Sequence, residues 1–594
     1  MVESLVLNVR DHPDRPAMRR WGETGWEVLS WTDYRRAVGE VAGGLAELGV
    51  GAGEAVGILS ANNPEWHLSD LGILVNGSVT VPLYPTSSPT QIAYILGHAE
   101  ARACFVDTHE QLGKVLQVRD ELPRLERLIL CGPTRRVGDT FVIQLAELRA
   151  RGAERLAREA SWFDQRVGAV GPDDLATIVY TSGTTGPPKG ALITHDNIMW
   201  TLRNATPPFS IREGERLLSF LPLSHIAERM MSLFLPIAVT GETWFARSLA
   251  TVAEDLPECR PTIFFAVPRV WEKLREAIED HIRTLPLPVR LALNRYVSLG
   301  LRKVEAEQGG QALTSAARLE YAALDRTLGT AVRQRLGLDR AHVLVSAAAP
   351  IHPSVVRWFH AIGLPVIELY GQTEACGPTT ANRPTRNRIG TVGPPLPGVS
   401  VRLAADGEIL VKGGNVCQGY FKDPKATADL LDDEGWMHSG DLGTLDADEY
   451  LRVIGRKKDL IITAAGQNVA PQGIESDLCN HPLISQAVVL GDGRRYLSAL
   501  ITLDPEALGR WAQARDKLVD LEALTGDPDV LREVQEAVDE VNLRWSHAEG
   551  IRKFRVLAHD LTVADGELTP TLKVRRDAVC KEYAEVIDEL YADG

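Results

Sequence analysis

A chain of 594 residues is too long for one ordinary domain, and its 44% hydrophobic and 24% charged residues are those of a globular protein, not a disordered one. The formal net charge of −15 excludes a broad electrostatic footprint for nucleic acid, so any anionic substrate has to be held by local groups. Seven cysteines without a CxxC pair read as free thiols in a reducing compartment, and neither a signal peptide at MVESLVLNVRDHPDRP nor a bilayer-spanning apolar run is visible. A cytoplasmic protein is expected, with peripheral membrane contact left open and the oligomeric state unspecified.

Trp31 to Leu48 carries apolar residues at helical spacing, and Gly49, Gly51 and Gly53 end it before the strand-like Ala55–Leu59. Short apolar runs follow at Val79–Pro82, Ala103–Asp107 and Leu128–Cys131; alternating with helical stretches, they predict α/β layers. From Trp271 to about Arg340 the pattern is long, helical and charged, with interruptions at Pro286 and Pro288, and reads as a helical insert (about 271–340) rather than a separate domain. Val343–Ser346 and Pro365–Leu369 resume the α/β pattern. Beyond Gly398, short alternating strands appear at Val399–Leu403, Glu408–Val411 and Tyr450–Ile454, separated by Asp- and Gly-rich turns. After Gly455 a small α+β unit follows: a helix at Gly473–Asn480, strands at Gln486–Leu490 and Leu497–Leu503, then helices. The expected fold class is α/β: a large N-terminal multi-subdomain region (1–455), a hinge at 456–459 and a small mobile C-terminal α+β domain (460–594).

Residues 175–190 carry the first chemistry. A buried strand runs into Thr181, Ser182, Gly183, Thr184, Thr185 and Gly186 and ends at Pro-Pro-Lys189-Gly190. Glycines let the backbone approach phosphate, exposed N–H groups form an anion nest, the hydroxyls add donors, and Lys189 supplies a point charge. The GxxxxGK[ST] spacing is absent, so this is not a Walker loop. A Ser/Gly linker is the plainer alternative, but linkers seldom follow an apolar strand directly and end in Pro-Pro-Lys-Gly.

Tyr180–Gly190 resembles the signature of the acyl-adenylate-forming (AMP-binding) superfamily, and further segments resemble it in order. Leu221–Met230 is similar to the motif whose histidine, here His225, lies beside the acyl pocket. Tyr370-Gly371-Gln372-Thr373-Glu374 is similar to the adenine-site motif. There Tyr370 is expected to stack on the purine, Thr373 to donate to the α-phosphate, and Glu374, with Thr184, to hold Mg²⁺, a hard cation that prefers oxygen. Trp436–Asp441 and Gly455-Arg456 resemble the ribose-binding pair, with Asp441 accepting from vicinal hydroxyls and Arg456 a cationic donor. Lys458 aligns with the residue about which the small domain rotates. Ile461–Pro471 resembles the loop over the acyl site in the thioester-forming state; Gly466 is kept, while the usual lysine before it is not evident. Leu568-Thr-Pro-Thr-Leu-Lys573 resembles the catalytic-lysine segment of long-chain synthetases rather than the Ser-Gly-Lys form of short-chain ones. Phe220–Met230 and Val267–Lys273 also resemble the bacterial long-chain and bubblegum-type fatty acyl-CoA synthetases.

The resemblance implies a two-step ligase using ATP, Mg²⁺ and coenzyme A. A fatty acid is adenylated with release of pyrophosphate, then transferred to CoA with release of AMP, with Lys573, His225 and Glu374 as catalytic residues. Two alternatives remain at this stage: a ligase delivering its acyl group to a carrier-protein thiol, and a degenerate acyl-lipid binder. The acid itself is not legible.

Overall fold

Ala55–Leu59 and Val79–Leu83 are buried along their whole length, as strands covered by helices on both faces must be. In the computed structural model, which describes residues 1–132, 140–181, 187–547, 549–569 and 573–592, they sit inside a seven-stranded sheet. Its order is Val142–Gln144, Arg127–Leu130, Ala103–Val106, Ala55–Leu59, Val79–Leu83, Leu175–Thr181, Lys189–Thr194. All pairs are parallel except the last, so Leu175–Thr181 and Lys189–Thr194 form an antiparallel hairpin at the sheet edge. The helix Trp31–Glu47 begins with a capping box, the Ser30 hydroxyl accepting from the Asp33 N–H while the Asp33 carboxylate returns the bond.

A second sheet runs Ile263–Ala266, Val343–Ser346, Val366–Gln372 in parallel and closes on an antiparallel strand, Gly377–Ala381. A third orders Arg216–Ser219, Glu242–Phe245, Pro16–Gly22, Gly25–Ser30. The strands expected beyond Gly398 form a fourth, antiparallel sheet: Ser400–Leu403, Glu408–Lys412, Met437–Leu445, Leu451–Arg456.

The helical insert starts earlier and breaks less often than its prolines suggest. Helices span Pro268–Thr284, Leu287–Gln308, Ser315–Leu324 and Thr330–Arg335. Pro286 caps the second of these, but Pro288 lies within its first turn, where a missing N–H costs nothing because no intrahelical acceptor exists there.

Val453 packs against the largest apolar cluster, whereas Ile461 belongs to a different one built from residues after it. In this small unit the helix Pro471–Cys479 covers a three-stranded sheet, Ile484–Leu490, Leu497–Leu503 and Ile551–Val556.

One buried ion pair ties the large region together. Arg229 and Asp70 are both fully buried; Nε donates to Asp70 Oδ2 at 2.9 Å and Nη2 to Oδ1, while Nη1 donates to Thr177 Oγ1 at 2.7 Å. The Thr80 hydroxyl donates to the same carboxylate at 2.6 Å. Helix Pro64–Val75, strand Leu175–Thr181 and the π-helical turn Arg229–Phe234 are thereby locked to one another. Removing one partner of so buried a pair costs about 3–5 kcal/mol.

Candidate active site

Antiparallel pairing sets Thr181 opposite Lys189 and Tyr180 opposite Gly190. Gly190 is needed there, since a Cβ would come within 2.6 Å of Ile178 Cγ2. Ser182, Gly183, Thr184, Thr185 and Gly186, the expected phosphate donors and one expected metal ligand, lie outside the described residues. Their two flanks point to one carboxylate: Thr181 Oγ1 donates to Glu374 Oε1 at 3.3 Å, and Lys189 Nζ stands 5.2 Å from the centre of the Tyr420 ring. The Tyr420 hydroxyl donates to the same Glu374 oxygen at 2.8 Å.

Glu374 stands in a 3-10 turn, Thr373–Ala375, between the antiparallel strands Val366–Gln372 and Gly377–Ala381. Cys376 follows in the left-handed region at φ 49°, and Gly377 at φ 98° completes the reversal. At Gly371 the strands approach so closely that a Cβ would lie 1.8 Å from the Gly377 carbonyl oxygen. The Cys417 N–H donates to the Glu374 carbonyl at 2.8 Å, fixing the turn from the far side.

Asp441 is buried and crowded with donors. Its Oδ2 accepts from the Tyr370 hydroxyl at 2.7 Å and from Gln372 Nε2, which also donates to the Ser439 carbonyl at 2.9 Å. Its Oδ1 faces Arg456 Nε at 3.2 Å, the register neighbour across the antiparallel pair. Tyr370, expected to stack on a purine, thus uses its hydroxyl to orient the carboxylate. Burial, followed by Asp441, holds its phenol well above the usual range, so it remains a donor.

His225 caps the short helix Ile226–Glu228, its Nδ1 accepting from the Ala227 N–H at 3.2 Å. Burial, then the nearby Lys573 ammonium, lowers its pKa to about 4, so the ring is neutral near pH 7. The π-helical turn that follows interrupts regular helix where π-bulges commonly mark function.

Lys573 comes from the opposite end of the chain. Thr569 and Lys573 are tied by two hydrogen bonds, the Thr569 N–H donating to the Lys573 carbonyl at 2.8 Å and the Lys573 N–H to the Thr569 side-chain Oγ1 at 3.0 Å. The residue is exposed to solvent. Desolvation by the surrounding protein and then Arg456 lower its pKa, while Asp441 and Glu374 act in the other direction. Lys573, His225, Glu374, Asp441 and Arg456 are therefore brought together electrostatically.

Two expected residues stay apart from this group. Lys458 is exposed in a 3-10 turn, Lys457–Asp459, held by Lys457 on Asp406 (2.5 Å) and by Gln472 on Asp459 (3.0 Å). Gly466 sits at φ 75° in an exposed turn, with open space around its α-carbon. Tyr420 was missed in the sequence. Its only local signal is an aromatic after a glycine, and its place comes from long-range pairing, the Leu192 N–H donating to the Gly419 carbonyl and the Phe421 N–H to that of Gly190.

No group of three or more His, Cys, Asp or Glu able to hold a metal occurs among the described residues. A lone carboxylate such as Glu374 fits Mg²⁺ carried in by substrate phosphates, since that ion keeps waters and takes one or two protein carboxylates. All seven cysteines are free. Burial pushes the thiols of Cys376 and Cys417, which flank Glu374, up to about 12.

Residues 6–421 match the family model described as AMP-binding enzyme, and residues 458–594 match that of the AMP-binding enzyme C-terminal domain. The chain is 37% identical over 593 residues to the long-chain-fatty-acid–CoA ligase FadD15 of Mycobacterium bovis, covering 98% of this chain and 95% of that one. It is 34% identical over 600 residues to the long-chain-fatty-acid–CoA ligase ACSBG2 of Xenopus laevis, covering 96% and 80%. Among solved structures, the adenylation domain of a carboxylate reductase from Mycobacterium chelonae superposes with a TM-score of 0.75 at 22% identity, covering 100% of this chain and 91% of that one.

Proposed function

The chain belongs to the AMP-binding enzymes, and from that premise we propose that the cleft joins a long-chain fatty acid to coenzyme A through an acyl-adenylate. A carboxylate oxygen attacks the α-phosphorus of ATP, the bond to the bridging oxygen breaks, and pyrophosphate leaves. The CoA sulfur then attacks the acyl carbonyl carbon, AMP departs, and the thiol proton is lost to solvent.

The first step brings two anions together, so the site must supply positive charge where negative charge gathers. Lys573 serves the incoming carboxylate and the α-phosphate, and Lys189 with the hairpin serves the departing phosphates. Glu374 would hold Mg²⁺, which supplies further positive charge to the phosphates when bound. Asp441, oriented by Tyr370, Gln372 and Arg456, takes the ribose. His225, neutral, borders the acyl end. Lys458 is the pivot between 1–455 and 460–594, and Gly466 belongs to the second step. No described helix is long and apolar enough to cross a membrane.

The observation that carries this reading is the convergence of Lys573 on Asp441, Glu374, Arg456 and His225 from the other end of the chain. Its test is Lys573→Ala, measured separately in two half-reactions. Acid-dependent pyrophosphate release should fall roughly 10²–10³-fold, the loss expected for one preorganised charge-stabilising group. Thioester formation from supplied acyl-AMP should stay near wild type. Equal loss of both steps would refute the role.

A further inference from the structure

The segment Val267–Lys273 has no part in the cleft, yet the fold presents it with care. It opens the helix Pro268–Thr284, and Trp271 anchors that helix to the second sheet. The Trp271 indole N–H donates to the Val345 carbonyl at 3.2 Å, and the ring packs edge-on against Phe264 and Phe359. With Trp271 turned inward, Arg269, Lys273 and Asp280 are left facing the small unit. Arg269 Nη2 donates to Asp504 Oδ2 at 2.5 Å; Lys273 lies 4.0 Å from Glu506 and Asp280 lies 3.9 Å from Arg510.

Asp504 is suited to a double duty. Its Oδ1 caps the helix Pro505–Gln513 by accepting from Glu506 N and Ala507 N at 3.0 and 2.9 Å, while Oδ2 is given to Arg269. A second clasp lies at the start of another large-region helix. His352 Nδ1 accepts from the Ser354 N–H, which leaves Nε2 to donate to Asp477 Oδ1 at 3.2 Å. The Trp545 indole holds the other Asp477 oxygen at 2.8 Å, and Ser354 Oγ donates to Asn480 at 3.1 Å. These contacts are charged or polar and partly exposed, the texture of a surface that separates rather than of a core.

We propose that Arg269 with Asp504, backed by His352 with Asp477, are positioning residues for adenylation: they seat the small unit so that Lys573 reaches the cleft. They are needed in the first half-reaction only. The inference rests on the role given above to Lys573.

The test uses the full-length chain with Arg269→Glu, which sets two carboxylates against each other, and Asp504→Asn, which keeps the helix cap. Each should lower the kcat of acid-dependent pyrophosphate release roughly tenfold, about 1.4 kcal/mol, with the KM for ATP unchanged. Thioester formation from supplied acyl-AMP should be unchanged or faster. Arg269→Gln combined with Asp504→Asn should be no worse than either alone, because the two act as one pair. A merely structural role would instead slow both steps together, and that result overturns the proposal, as would wild-type adenylation in Arg269→Glu.

A second arm needs no catalysis. Spin labels at Leu319→Cys on the large region and Leu543→Cys on the small unit, both exposed positions, should give one narrow distance distribution that Arg269→Glu broadens. An unaltered distribution also overturns the proposal. Failure of the adenylation reading would show up elsewhere, as a wild-type protein that releases no pyrophosphate with any acid.

Discussion

Asp441 and Glu374 share one feature: each carboxylate is already held by protein donors, which fixes its orientation in the fold. The sequence singles out both positions because their residue patterns are local and ordered along the chain. Tyr420 was not legible, because its place depends on a loop pairing with the hairpin from far away in sequence. Glu228 was illegible for a related reason: nothing in Ile-Ala-Glu-Arg reveals that its carboxyl will be fully enclosed. Burial pushes its pKa up to about 7, although Ser219, donating at 2.8 Å, stabilises the anion. A raised native pKa means that the folded state holds the proton more tightly than the unfolded chain. The associated stability is present in full below about pH 4.5 and is lost as pH rises through about 7. Glu228→Gln, which resembles the protonated acid, should therefore gain up to about 3 kcal/mol more over wild type at pH 8 than at pH 5. Urea midpoints at the two pH values measure this, and a difference independent of pH would show that Glu228 is ionised in the fold.

At the scale of elements, Glu374 lies between two antiparallel strands and Thr181 faces Lys189 across another antiparallel pair, each pair closing an otherwise parallel sheet. Short apolar runs marked several of these elements, including Ala55–Leu59 and Val343–Ser346 to the residue. The insert was misjudged at Pro288 because a proline disrupts a helix only once there is an intrahelical bond to lose. The turn Lys457–Asp459 has no apolar anchor of its own and follows directly on the strand that carries Arg456. Proline would fix φ near −65° at 458 and restrict Lys457 as well. Lys458→Pro should leave single-turnover acyl-AMP formation within about threefold of wild type while reducing thioester formation by roughly tenfold or more. A normal thioester rate in that variant would remove Lys458 as the pivot.

For the whole molecule, fold class and family were legible because motifs recur in order across nearly the entire chain. The seating of the small unit was not, since it depends on pairs such as Arg269 and Asp504, 235 positions apart. Substrate preference is also a property of the whole fold. Each methylene that is buried contributes about 0.8 kcal/mol, so a fitted acyl site should favour acids longer than roughly ten carbons over acetate by orders of magnitude. A panel of acids assayed for AMP release tests this, and acetate emerging as the best substrate would refute it. The seven free cysteines carry a last consequence. An acyl-adenylate is an activated anhydride, and any thiolate within reach competes with the intended acceptor. With their pKa near 12, Cys376 and Cys417 are ionised in only about one molecule in 10⁵ at pH 7. These two thiols, the ones beside Glu374, therefore stay protonated and are poor competitors for a sulfur delivered from outside.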